Sequence, residues 1–291
     1  MTSDQEITLK DGRRLAFVEY GDAAGEPTIY FPGSPGNRLN PFLDAWGHEC
    51  GLRFLSVDRP GYGRSTAQPD RRLVDLGDDI GALADQVGLD RFSLAGVSGG
   101  GPAVLACAFG LGPRVKTSVV VSGVAPPEAP REGQSEAELK SLALIDSNPE
   151  RYARTMGFGL WLARRLPPGT LTKAMAKGAP DADKELLARD DVRDLLLSST
   201  RSMGWRDGRP AAMEMQLHGR PWGFDLAEVT SPVQLWHGGA DNRAPISAAR
   251  FVADRLPDGR LTEIADAGHL LLFQYWRDIF TGLRETAQHP G

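Results

Sequence analysis

The 291-residue chain predicts an α/β protein, a mostly parallel sheet with helices on both faces. Short apolar runs of strand length alternate with stretches of helical periodicity. The strand-like runs are nearly continuous in apolar residues, as strands covered on both sides must be. Composition agrees: 33 Lys+Arg against 38 Asp+Glu give a net charge of -5, and 41% of residues are hydrophobic. That is enough chain to bury a core without staples, and it offers no concentrated basic face for a nucleic-acid backbone.

Along the chain, strands are expected at 15–19, 28–31, 53–57, 92–97, 115–121, 233–236 and 261–264. Residues 73–87 place Leu73, Leu76, Ile80, Leu83, Ala84 and Val87 on one helical face, and 246–256 and 270–283 behave similarly. Residues 92–113 carry no charge over a length that could cross a bilayer. Six glycines and two prolines make that stretch a poor membrane helix, so it reads as a buried strand, a tight turn and a buried helix. After 124 the alternation stops. A Pro/Glu-rich linker opens a segment without a convincing strand, several helices broken by PPG, GAP and GRP. The expected organisation is therefore a core from 1–124 and 226–291 with a helical insertion at 125–225. Acidic and basic residues balance within the insertion, which leaves the net charge on the core.

Cys50 and Cys107 have no CxxC spacing and no Cys/His cluster beside them, so two buried free thiols are expected and no zinc site. The first ten residues are acidic and lack an apolar run, which excludes a secretory signal of the usual kind and implies a cytoplasmic location. No metal, cofactor, nucleic-acid or membrane partner is expected; a phosphate loop at 96–101 would need a Lys that is not there. Oligomeric state is not legible.

Chemistry enters at Gly96-Val97-Ser98-Gly99-Gly100, a G-x-S-x-G pattern that follows a strand and opens a helix. A serine on such a turn stands exposed, with the free N–H groups of the following helix aimed at a developing oxyanion. Pro102 suits the first helical turn, where no N–H is required. A nucleophilic serine also needs further oxyanion donors and a base oriented by an acid. Pro32-Gly33-Ser34-Pro35-Gly36 follows one strand and can offer the Ser34 N–H beside that of Gly99. Asp241 follows another strand and His269 the last, so Ser98, Asp241 and His269 all fall beyond the carboxyl ends of strands in one sheet.

These segments, with DRPGYGRS at 58–65, HGGADNRAP at 237–245 and AGH at 267–269, resemble the α/β-hydrolase superfamily over essentially the whole length. The resemblance implies an eight-stranded, mostly parallel sheet, a helical cap over the site, and a triad of Ser98 as nucleophile, His269 as base and Asp241 as its orienting acid. Activity is then expected to fall as His269 becomes protonated. Ser98 disfavours the subfamilies that use an aspartate nucleophile. Two departures stand out. Phe31-Pro32-Gly33 replaces the His-Gly that opens the oxyanion loop in many relatives, removing a side-chain prop, and Gly99 leaves room where a bulky residue is common.

Other polar residues take structural readings: His237 braces its turn, Asp266 belongs to a loop, Asp58 and Arg59 tie down the loop after 53–57, and His48, His218 and His289 lie in a helix, the cap and the tail. Met156, Met175, Met203, Met213, Met215, Trp161, Trp205 and Trp222 fall in the insertion, where they suit an adaptable apolar pocket and an ordinary helical core equally well. The expected activity is cofactor-free cleavage of an ester, lactone or thioester of a mainly apolar small molecule through an acyl-enzyme on Ser98. Peptidase, perhydrolase and acyl-transfer variants are not separable from it. The alternative is a non-hydrolytic use of the same pocket, as a lyase, a cyclase or a small-molecule receptor.

Overall fold

The computed structural model describes residues 4–203 and 205–288. His289 lies outside them. Eight strands form one sheet: β1 (Asp4–Thr8), β2 (Arg14–Gly21), β3 (Glu26–Phe31), β4 (Leu52–Val57), β5 (Phe92–Val97), β6 (Val115–Val121), β7 (Val233–Gly238) and β8 (Gly259–Ile264). Their spatial order is β1-β2-β4-β3-β5-β6-β7-β8. From β4 to β8 every neighbouring pair is parallel, and only the pairings of β2 are antiparallel.

Seven strands coincide with the apolar runs. β1 does not, because DQEIT alternates polar residues on an edge where both faces meet solvent, and Ile7 alone packs on the core. Besides its antiparallel ladder with β2, it is held by charge, with Asp4 accepting from Arg38 at 2.7 and 2.9 Å.

Successive residues of the central strands serve opposite faces. Ile29, Phe31, Leu94 and Val120 pack on α2 (Leu76–Gln86), α3 (Gly101–Leu111) and α10 (Ile246–Ala253). Tyr30, Phe54, Ala95 and Val121 pack on α1 (Phe42–Cys50) and α11 (Leu272–Gln288), where Trp46 stacks on Trp276 with centroids 5.4 Å apart. Leu73, Leu76, Ile80, Leu83 and Ala84 are buried, as their spacing predicts, and Val87 at the end of the run is half-buried. Cys50 and Cys107 are buried and free.

Between β6 and β7 lie α4 (Glu136–Ser147), α5 (Pro149–Ala163), α6 (Pro168–Ala176), α7 (Asp181–Ala188), α8 (Asp190–Ser202) and α9 (Gly208–His218). Ser135 and Asn148 cap α4 and α5 by accepting from Glu138 N and Arg151 N. These helices have small cores of their own, one around Ile145, Tyr152 and Ala212 and another around Ala163, Leu171 and Leu197. Met156 and Met215 pack on the first and Met175 on the second, whereas Trp222 already belongs to the main core. Among the described residues no helix is long and apolar enough to cross a membrane.

Candidate active site

The chain leaves β3 to build β4 on one side, then crosses back to build β5 on the other. A crevice therefore opens between the carboxyl ends of β3 and β5, where a parallel sheet reverses its winding. Ser34 lies just beyond β3 and Ser98 just beyond β5. Ser98 sits at φ 53°, a left-handed conformation that costs a non-glycine residue roughly 1–3 kcal/mol. The turn is held by its neighbours: a Cβ on Gly100 would meet Phe31 C and Pro32 O at 2.9 Å, so the elbow and the loop after β3 approach backbone to backbone.

His269 Nε2 stands 2.9 Å from Ser98 Oγ, and His269 Nδ1 stands 2.7 Å from Asp241 Oδ2. With Nδ1–H donating to the carboxylate, Nε2 is left to accept the serine proton. Asp241 is buried, and its Oδ1 accepts from the N–H groups of Arg243 and Ala244 at 2.9 and 3.1 Å. Burial works to raise its carboxyl, but the adjacent His269 outweighs it and holds the group below the usual range. His237 has its Nε2 2.7 Å from Ala244 O, bracing the turn that carries Asp241, and burial lowers its imidazole so that it stays neutral. Asp266 is exposed.

Ser34, Ser98, Gly99 and His269 share one cavity of about 120 Å³. Its apolar wall includes Val124, Ala125, Ala129, Leu142, Met215 and Pro245, with Arg131, Gln134, Glu138 and Arg243 among the polar lining. The Trp205 side chain lies outside the described residues; of the other methionines and tryptophans singled out in the insertion, Met215 alone lines it among the described residues. The space expected beside Gly99 is filled: a Cβ there would fall 2.6 Å from Ser34 Cβ. A bulky residue after the nucleophile and a side chain at 34 exclude each other here.

Two residues at this site were not assigned their roles by sequence reasoning. Arg59 and Glu214 are each 2% exposed. The Arg59 guanidinium donates to Pro32 O, to Gly33 O at 3.2 Å and to Ser34 Oγ at 3.0 Å, so it braces the loop after β3, which lacks the histidine expected from the resemblance. Arg59 also donates to both oxygens of Glu214 on α9, at 2.5 and 3.0 Å, and the Ser34 hydroxyl donates to the same carboxylate. Burial would raise Glu214, but the Arg59 charge and hydrogen bonds, with other positive neighbours, bring it down to about 2. His218, one turn on and lining the cavity, is lowered by burial to about 4 and has no partner for Nδ1 among the described residues.

The alpha/beta hydrolase family model matches residues 29–281. The pimeloyl-(acyl-carrier protein) methyl ester esterase of Aromatoleum aromaticum is 44% identical over 64 residues, covering 21% of this chain and 26% of that protein. The proline iminopeptidase of Xanthomonas citri is 32% identical over 113 residues, covering 37% and 36%. The chain thus spans only about a quarter to a third of the length of these two relatives. A solved thermophilic esterase from Thermogutta terrifontis matches 98% of both chains with a TM-score of 0.69 at 22% identity, a likeness of fold. With sheet order, elbow and family match in agreement, the chain belongs to the alpha/beta hydrolase family.

Proposed function

We propose that this protein is a cofactor-free serine hydrolase that cleaves a carboxylic ester or related acyl bond of a small, mainly apolar molecule. The observation that carries the reading is the continuous relay from Ser98 Oγ through His269 to buried Asp241, at 2.9 and 2.7 Å. Ser98 Oγ attacks the acyl carbon while His269 Nε2 takes its proton, and the N–H groups of Ser34 and Gly99 receive the oxyanion. His269 returns the proton to the leaving alkoxide. Water, deprotonated by the same imidazole, then releases the acyl group as a carboxylic acid. Asp241 stays ionised throughout and stabilises the imidazolium.

The esterase and peptidase names of the relatives support acyl transfer to water without choosing the substrate. The small cavity, with apolar and polar walls, favours short acyl groups. Non-hydrolytic use loses its main support, since Arg59 props the oxyanion loop and Ser34 fills the gap at Gly99. The test is turnover of a p-nitrophenyl ester series by the wild-type protein and by Ser98→Ala. Saturable hydrolysis that falls by roughly 10⁶-fold in the variant is expected. Equal hydrolysis by the two proteins contradicts the proposal.

A further inference from the structure

Among the described residues, the insertion buries two carboxylates, Asp183 at 3% and Glu214 at 2% exposure. Each reaches a different half of the site. Asp183, on α7, accepts from His269 N at 3.0 Å and Leu270 N at 2.9 Å, so it fixes the loop that carries the base. Glu214, on α9, accepts from the Ser34 hydroxyl and from Arg59, which in turn holds the carbonyls of Pro32 and Gly33. The same helix presents Met215 and His218 to the cavity. The fit is close on both sides, since a Cβ on Gly268 would meet the Asp183 carboxylate, just as one on Gly99 would meet Ser34.

Neither carboxylate bonds to a side chain of the Ser98–His269–Asp241 relay; Asp183 meets His269 only through its backbone N–H. A surface lid would have no need to bury charge at its base, because taking a carboxylate from water costs several kcal/mol unless it is fully partnered. Here the partners are the two loops whose placement sets base geometry and oxyanion geometry, the quantities to which acyl transfer is most sensitive.

We propose that Asp183 and Glu214 are positioning residues by which the helical insertion holds the His269 loop and the Ser34 loop in place, so that its docking assembles the site as well as roofing it. This rests on Ser98 being the acyl-transfer nucleophile. The experiment joins two readouts on Asp183→Asn and Glu214→Gln: hydrogen–deuterium exchange of the loops, which needs no turnover, and kcat and KM for an ester, with kcat expressed per active site titrated with a fluorophosphonate.

Glu214→Gln is expected to speed exchange in residues 29–39, and Asp183→Asn in residues 264–272, while sheet peptides keep their rates. Each is expected to lower kcat per titrated site by roughly 10- to 100-fold with KM within about threefold. A merely structural role would lower the number of active sites and leave the kcat of each unchanged. Ser34→Ala guards against misfolding, since it removes only the hydroxyl's bonds to Glu214 and Arg59 and should loosen the same loop and lower kcat. Wild-type exchange in both loops of the folded variants overturns the proposal, as does wild-type kcat despite loosened loops. If the natural protein hydrolyses no ester, the nucleophile reading fails, and loop exchange still decides whether the insertion holds the loops.

Discussion

At Ser98 the backbone is held at φ 53° and the hydroxyl meets His269 Nε2 at 2.9 Å, so one half-buried residue combines a strained backbone with a hydroxyl set against an imidazole. Ser98→Ala and His269→Ala should each cost roughly 10⁶ in kcat and Asp241→Asn about 10⁴, because the acid orients a base and does not change its own bonds; steady-state kinetics on a responsive ester checks the ranking. His218 makes a second prediction, in stability. Its imidazole falls from the ordinary 6.5 to about 4, so the unfolded chain takes up the proton first and stability is lost as pH drops from 6.5 towards 4. Glu214, lowered from 4.5 to about 2, contributes stability above 4.5 that is lost below it. Urea midpoints should therefore decline from neutral to acid pH, and His218→Gln should make the upper part of that decline shallower. An unchanged slope would contradict the assignment.

The elements show what a sequence can and cannot disclose. Strands β2 to β7 are legible because burial demands nearly unbroken apolar runs, and the half-buried edge strand β8 shows through Leu261 and Ile264, whereas edge strand β1, with Asp4–Arg38 contacts, looks like any polar segment. Ser98, Asp241 and His269 are legible because each follows a strand at a predictable edge. The Arg59–Glu214 pair joins residues 155 apart in sequence, and no periodicity signals such a contact. Gly99 suggested open space, and only the fold shows Ser34 occupying it. The elbow itself can be tested with glycines. Gly100→Ala should destabilise by roughly 1–3 kcal/mol, since its Cβ would press on the backbone of Phe31 and Pro32. Gly159→Ala, in α5 with nothing within 4 Å of its Cβ, should stabilise by about 0.5–1 kcal/mol. Thermal unfolding of the two variants is the check.

For the whole molecule, a mostly parallel sheet brings three distant loops to one edge, and residues of the helical insertion line the cavity beside them. The cavity of about 120 Å³ leaves little room beyond the reacting centre, so acetyl and butyryl esters should be turned over faster than octanoyl esters, with the preference in kcat/KM. Widening the wall by Met215→Ala should shift it towards longer chains. A chain-length series on both proteins tests this. The central claim, that Ser98 is a nucleophile activated by His269, is tested most directly by intact mass and peptide mapping after fluorophosphonate treatment of the natural protein, Ser98→Ala and His269→Ala. A single adduct on Ser98 is expected, absent from the first variant and much slower in the second. A folded natural protein that takes no adduct, or takes it at another residue, would contradict it.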